Sequence, residues 1–252
     1  MSAFVRSASL LIALLAAVVL PASATAQEFN ERQREELGKI IREYLIENPE
    51  VLREAIQALE RKQKDAEEAA AKVAIVEQAE QIYRSEADLV AGNPNGSVAM
   101  AEFFDYNCGY CKRAMPDVLK LIETDKDLRV VLKEWPILGE GSVYAAKAAL
   151  ASRKQGKYWD FHVALMQERS VNEQKVLEVA ERIGLDVEQL KADIQAPEVQ
   201  EAIDRNMQLA EALGLRGTPA FLIGDQLLPG ALPLRVLEQT IATVRRDGCK
   251  VC

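Results

Sequence analysis

Val98-Ala99-Met100-Ala101-Glu102-Phe103-Phe104-Asp105-Tyr106-Asn107-Cys108-Gly109-Tyr110-Cys111 decides the reading of this chain. An apolar, strand-like run ends in a short polar step. A C-x-x-C then opens a stretch with helical character. A cysteine at a helix start meets unpaired backbone N–H groups and the positive end of the helix dipole, and both favour its thiolate. With two residues between them, the second sulfur can reach the first and close a disulfide within about one helical turn. A lone C-x-x-C is shared by redox dithiols and halves of zinc sites, so the rest of the chain has to discriminate.

The chain has 252 residues, a net charge of −8 and four cysteines. The acidic balance argues against nucleic acid and anionic membrane surfaces as partners. All four cysteines fall in two C-x-x-C pairs, Cys108/Cys111 and Cys249/Cys252. An exported protein held together by structural disulfides usually spreads its cysteines along the chain, so these read as chemical groups. Export itself is expected from Arg6, the apolar run Leu10 to Leu20, Pro21 and the small-residue exit Ala24-Thr25-Ala26, with cleavage after Ala26. The apolar run is too short to span a bilayer. A reactive dithiol in an exported chain points to an oxidising compartment, most simply the bacterial periplasm.

Residues 27–92 read as almost continuous helix. Leu37, Ile40, Ile41, Tyr44 and Leu45 recur at helical spacing. Asn48-Pro49 restarts the helix, with Asn48 expected as cap and Pro49 at the first helical position. Val51, Leu52, Ala55, Ile56 and Leu59 form a second stripe. Arg61 to Lys72 is rich in charge and alanine, which suits a solvated helical spacer. An apolar face remote along the chain from the catalytic part needs a cover. Self-association of these helices and folding back onto the same chain are the two ways to supply one. Gly92-Asn93-Pro94-Asn95-Gly96 is a break. Strands are expected over Val98–Tyr106 and Leu128–Ile137. Helices follow over Ser142–Gln155, Tyr158–Gln167, Glu173–Ile183, Val187–Ala192 and Val199–Leu213. A hairpin over Ala220–Ile223 and Gln226–Leu228 and a last helix over Leu234–Arg246 close the series.

Three segments together carry a resemblance: Glu102 to Cys111, then Tyr158-Trp159-Asp160-Phe161-His162, then Gly217-Thr218-Pro219-Ala220-Phe221. The chain resembles the DsbA branch of the thioredoxin superfamily over roughly residues 90–246. Its extension, Tyr44 to Leu52, is similar to that of ScsC-like (suppressor of copper sensitivity) proteins. The resemblance implies an α/β, thioredoxin-like fold with a helical insertion. The implied layout is a signal peptide (1–26), a helical oligomerisation arm and linker (27–92), a DsbA-like domain (93–247) and a tail (248–252). Within the domain, 93–140 and 215–247 form the thioredoxin parts and 141–214 the insertion.

For the chemistry, the resemblance implies an exposed nucleophile at Cys108 and a shielded, resolving thiol at Cys111. Gly109 and Tyr110 tune them, and the absence of a histidine between the cysteines points to a milder oxidant. Pro219 is expected to be cis and to face the dithiol, with Thr218 as its substrate-facing neighbour. Glu102 interrupts an apolar strand. A buried carboxylate is costly unless paired or protonated, so it is expected beneath the site as a proton relay, with Lys133 as partner. His162, the lone histidine, sits among apolar helical neighbours and reads as structural. Cys249/Cys252 could be a terminal disulfide, a dithiol shuttling electrons with Cys108/Cys111, or a soft-metal ligand pair.

No cofactor beyond a redox-active disulfide is expected, copper entering by resemblance alone. The expected partners are exported proteins bearing disulfides or thiols, a membrane redox protein acting on the dithiol, and copies of the chain itself, trimeric by resemblance. The leading expectation is a periplasmic disulfide isomerase. A monomeric dithiol oxidase and a copper-binding or chaperone module are the alternatives.

Overall fold

The computed structural model describes residues 30–252; the segment expected to be an export signal, residues 1–26, lies outside them. The chain forms two compact units that divide between Ala58 and Leu59. The first holds α1 (Glu31–Glu47) and the start of α2 (Pro49–Glu77). Asn30 opens α1 with a capping box: its side chain accepts the Gln33 N–H at 2.9 Å, and Gln33 returns the bond at 3.0 Å. Asn48 stands directly before α2, as expected, and meets it through its backbone carbonyl, which accepts the Val51 N–H at 3.1 Å. Its side-chain amide donates to the Tyr44 carbonyl at 2.9 Å, which satisfies the end of α1 instead.

The second unit begins within α2 and continues through α3 (Ala79–Tyr83) into a five-stranded sheet. Its strands are β1 (Leu89–Gly92), β2 (Val98–Phe104), β3 (Leu128–Glu134), β4 (Ala220–Ile223) and β5 (Gln226–Pro229), in the spatial order β1-β3-β2-β4-β5. Among the described strands only β2 and β3 run parallel, joined by α4 (Gly109–Thr124). The segment before the Gly92–Gly96 break is therefore not helical to its end. The chain turns at Arg84 and enters β1, antiparallel to β3. At Gly92 (φ +74°) a Cβ would lie 2.6 Å from the Leu128 carbonyl oxygen, so only glycine fits this exit from the strand.

Between β3 and β4 the chain forms α5 (Glu140–Ala151), a 3-10 turn, α6 (Tyr158–Gln167), α7 (Glu173–Arg182), α8 (Val187–Asp193) and α9 (Pro197–Ala212). α10 (Leu234–Asp247) follows the β4–β5 hairpin. The expected strands are shorter than their apolar runs: β2 stops at Phe104 and β3 at Glu134.

Side chains alternate across β2, so each face has its own core. Val98, Met100 and Phe104 face α4, α10 and the helical insertion. Ala99, Ala101 and Phe103 face α3, the end of α9 and Val251. Both faces are covered, which is why all seven residues of β2 are buried. Among the described residues no helix is long and apolar enough to cross a membrane.

Candidate active site

β2 delivers the chain to the site, and a polar clamp fixes its exit. Asp105 is buried, and its carboxylate accepts from the N–H groups of Asn107 (2.6 Å), Ile137 (2.8 Å) and Leu138 (2.9 Å) and from the Ser142 hydroxyl (2.7 Å). Asn107 ties the same step to the insertion, donating to the Val171 carbonyl at 3.0 Å and accepting its N–H at 2.8 Å. The Cys108 N–H then bonds the Asp105 carbonyl at 3.0 Å. A buried carboxylate with four donors is well satisfied, so the loop before the cysteines is held from both sides.

Cys108 is the N-cap of α4, and its Sγ accepts the Cys111 N–H at 3.3 Å. Both thiols are free. The Thr218-Pro219 peptide bond is cis, as expected. The Cys108 thiol lies against it, donating to the Thr218 carbonyl at 3.2 Å. Cys111 is fully buried, the shielded partner anticipated. Cys108 is less open than anticipated: the Thr218 carbonyl covers it, and only 5% of its surface is exposed.

The two thiols differ sharply in acidity. The Cys111 thiol and the N–H groups of Cys111 and Tyr110 hold Cys108 down to about 5, against the opposing cost of burial. Burial drives Cys111 far up, with its hydrogen bond to Cys108 and the charge of Glu102 acting in the same direction. At neutral pH the pair is thus one thiolate and one thiol, the arrangement that exchange chemistry needs. Tyr110 is exposed beside them, with the Arg113 guanidinium 4.2 Å above its ring. A Cβ at Gly109 would stand 3.7 Å from Arg113 Nη1, an ordinary contact.

Glu102 lies buried on the α4 side of the sheet, and one of its carboxylate oxygens has no hydrogen-bond partner. Burial, then the charge of Cys108, raises its pKa to about 8. Lys133 is not its partner. The register pairs Glu102 with Leu132 and Phe103 with Lys133, so the lysine emerges on the opposite face. There it forms a short, fully buried ion pair with Asp88 and donates to the Gln81 carbonyl.

His162 is structural, as its apolar setting suggested. It stacks on Trp159 at 5.7 Å, meets the Tyr106 hydroxyl at 3.0 Å, and is kept neutral by burial, its pKa held down to about 3. Sequence reasoning missed the clamp residues Asp105, Asn107 and Ser142, and also Glu134, a buried carboxyl bonded by Tyr106 (2.9 Å) and Tyr158 (2.5 Å). The polar break Asp105-Tyr106-Asn107 after an apolar strand was the one signal available. Cys249 and Cys252 are joined in a disulfide. Among the described residues no cluster of three or more metal-ligating side chains exists.

A thiolate at a helix N-terminus, a buried second thiol and a facing cis-proline on a thioredoxin-like sheet define a thiol–disulfide oxidoreductase site. Residues 99–242 match the family model of the DsbA-like thioredoxin domain, and residues 33–66 match that of the copper resistance protein ScsC N-terminal domain. The chain belongs to the DsbA-like thioredoxin family. It is similar to a crystal structure of a thioredoxin-like oxidoreductase from Silicibacter pomeroyi, with 48% identity and a TM-score of 0.65 over 66% of this chain and 97% of that one. A linker-deletion variant of Proteus mirabilis ScsC matches at 26% identity and a TM-score of 0.67, over 88% of this chain and all of that one. Among curated proteins, a Na(+)/H(+) antiporter NhaA of Herminiimonas arsenicoxydans is 29% identical over 164 residues, 64% of this chain. The chain spans about a quarter (26%) of that relative's length.

Proposed function

We propose that the protein is an exported disulfide isomerase, acting in the periplasm as a homo-oligomer on misfolded proteins. The observation that carries this reading is the stripe on α1. Leu37, Ile40, Ile41 and Tyr44 are 41%, 61%, 49% and 54% exposed. An apolar helical face of this extent is covered by another surface in solution, and a second copy offers the same face in return. Assembly would set several Cys108 thiolates around one substrate and raise their effective concentration without new contacts. Cys108 attacks a wrong disulfide, one substrate thiolate leaves, and that thiolate or Cys111 resolves the mixed disulfide. Once Cys108 is tied up in the mixed disulfide its charge no longer holds the proton on Glu102, and the ionised carboxylate takes the Cys111 proton in the second route. A membrane reductant is needed to return the dithiol to its reduced state.

Reactivation of scrambled, fully oxidised ribonuclease by the full chain tests the reading. Activity is expected to vanish in Cys108→Ser. It is expected to fall to that of independent sites in a Leu37→Glu, Ile41→Glu variant shown to be monomeric by light scattering. Reactivation unchanged in the monomer would refute the role of assembly, and none in the parent chain would refute the isomerase. One observation favours a monomeric dithiol oxidase instead. A Cys108 pKa near 5 stabilises the reduced dithiol, so the oxidised form gives up its disulfide readily. Rapid oxidation of a dithiol peptide without reactivation would select that alternative.

A further inference from the structure

The second C-x-x-C stands outside the chemistry derived so far, yet its surroundings parallel the first. The Cys252 N–H donates to Cys249 Sγ at 3.2 Å, the same relation that Cys111 bears to Cys108. The segment is seated on the sheet. Val251 is buried in the core of the α3 face. The Ala99 N–H, beyond the last β2–β4 pair at Met100 and Ile223, donates to Cys252 Sγ at 3.0 Å. Arg129 donates to the Cys252 carbonyl oxygen at 3.0 Å. Gly224 (φ +58°) makes the seat possible, since a Cβ there would fall 2.8 Å from Val244 Cγ1 and 3.4 Å from Cys249 Sγ. A disulfide closing so short a loop adds little chain-entropy stabilisation, so architecture gives it little reason to exist.

The two sulfurs face different surroundings. Cys249 lines a groove of about 1280 Å³ that also takes in Tyr110, Gly217, Thr218 and Pro219 and is walled by Lys64 and Glu68 of α2. Cys252 is held to the backbone of β2. A nucleophile in the groove meets Cys249, and Cys252 is placed to leave as a thiolate stabilised by the Ala99 N–H. Exchange is faster when the leaving thiol is more acidic.

We propose that Cys249–Cys252 is a second exchange centre that accepts two electrons from a cysteine pair of an extended polypeptide lying in this groove. One substrate thiolate attacks Cys249 Sγ and the Cys249–Cys252 bond breaks. Cys252 leaves as a thiolate and takes a proton from water. The second substrate thiol loses its proton to water and attacks the substrate sulfur of the mixed disulfide, releasing Cys249, which is then protonated. The polypeptide gains a disulfide and the chain gains two thiols. The proposal shares with the function above only a protein substrate bearing cysteines, and it needs neither the isomerase direction nor assembly.

The test is the full chain carrying Cys108→Ser and Cys111→Ser, mixed with reduced, unfolded ribonuclease, quenched in acid, alkylated and mapped by mass spectrometry. The expected results are loss of the Cys249–Cys252 disulfide about tenfold faster than in a free oxidised peptide of residues 246–252, and a transient adduct on Cys249. A disulfide that reacts no faster than the peptide's, or an adduct on Cys252, would overturn the proposal. The parent chain with Cys108 alkylated beforehand, Cys111 staying buried and protonated, gives the same readout should the double variant misfold. Because Cys108 is silent throughout, failure here is separate from failure of ribonuclease reactivation by the unmodified chain.

Discussion

The two faces of the central sheet bury charge under opposite rules. Beneath α4, Glu102 has one carboxylate oxygen without a partner and a pKa raised to about 8. One position along the neighbouring strand and on the other face, Lys133 is closed within a pair with Asp88 and a bond to the Gln81 carbonyl. A buried charge that is fully paired locks local structure and has no freedom to exchange a proton. A buried acid with an unpartnered oxygen costs stability and titrates near neutrality, which makes it useful next to a thiol that must gain and lose its proton. The sheet thus separates an anchoring face from a reacting one, although both residues are buried.

The largest effect should come from the reacting face. Cys108→Ser is expected to bring reduction of insulin disulfides down to the uncatalysed background, since a reducing thiolate at the α4 N-terminus is lost, with the melting temperature little changed, read by turbidity beside thermal denaturation. Lys133→Met should act in the opposite sense. It leaves Asp88 buried without its counter-charge and should cost about 3–5 kcal/mol of stability, while the exchange rate per folded molecule is retained. An equal loss of rate in that variant would break the division between the faces.

Glu102→Gln should fall between the two. Resolution of a mixed disulfide by Cys111 is expected to slow about 100-fold at neutral pH, the lower end for loss of a proton-transfer group. Stability should change with it, and the sign follows from the raised pKa. Below the ordinary carboxyl range both folded and unfolded states hold the proton. Between pH 4.5 and about 8 the unfolded state has released it and the folded state has not, so stability falls as pH rises, by at most about 1.4 kcal/mol per unit. Denaturant titrations across that window should show the slope in the parent chain and its loss in the glutamine variant. The smallest effect is expected at Arg113. The Cys108 thiolate absorbance should titrate near 5 rather than 9.0. Arg113→Ala should leave that midpoint in place, because its guanidinium stacks on the Tyr110 ring while the Cys111 thiol and the N–H groups of Cys111 and Tyr110 hold the sulfur's acidity.

Much of this was legible beforehand. The helices of the insertion fall within a few residues of where hydrophobic spacing places them, because amphipathic periodicity reports the buried face directly. The cis-proline and the dithiol were readable as short motifs. β1 was not, since Leu89-Val90-Ala91-Gly92 is too short to carry a period and becomes a strand only through its ladder with β3. The Glu102–Lys133 pairing failed for a related reason. Composition shows that both residues sit in apolar strands, but inter-strand register decides which face each one meets, and a shift of one residue reverses it.

What the amino-acid order determined by itself was local. It set the strand-to-helix junction at Cys108, the exposed apolar stripe of α1, and the succession of helices between the two halves of the sheet. Tertiary structure decided which sulfur is a thiolate, which buried charge is paired, and that Cys249–Cys252 shares a groove with Thr218 and Pro219. The physical reason is range. Periodicity and capping act over a few residues, whereas desolvation, register and hydrogen bonds such as Ala99 to Cys252 join positions that only the folded chain brings together.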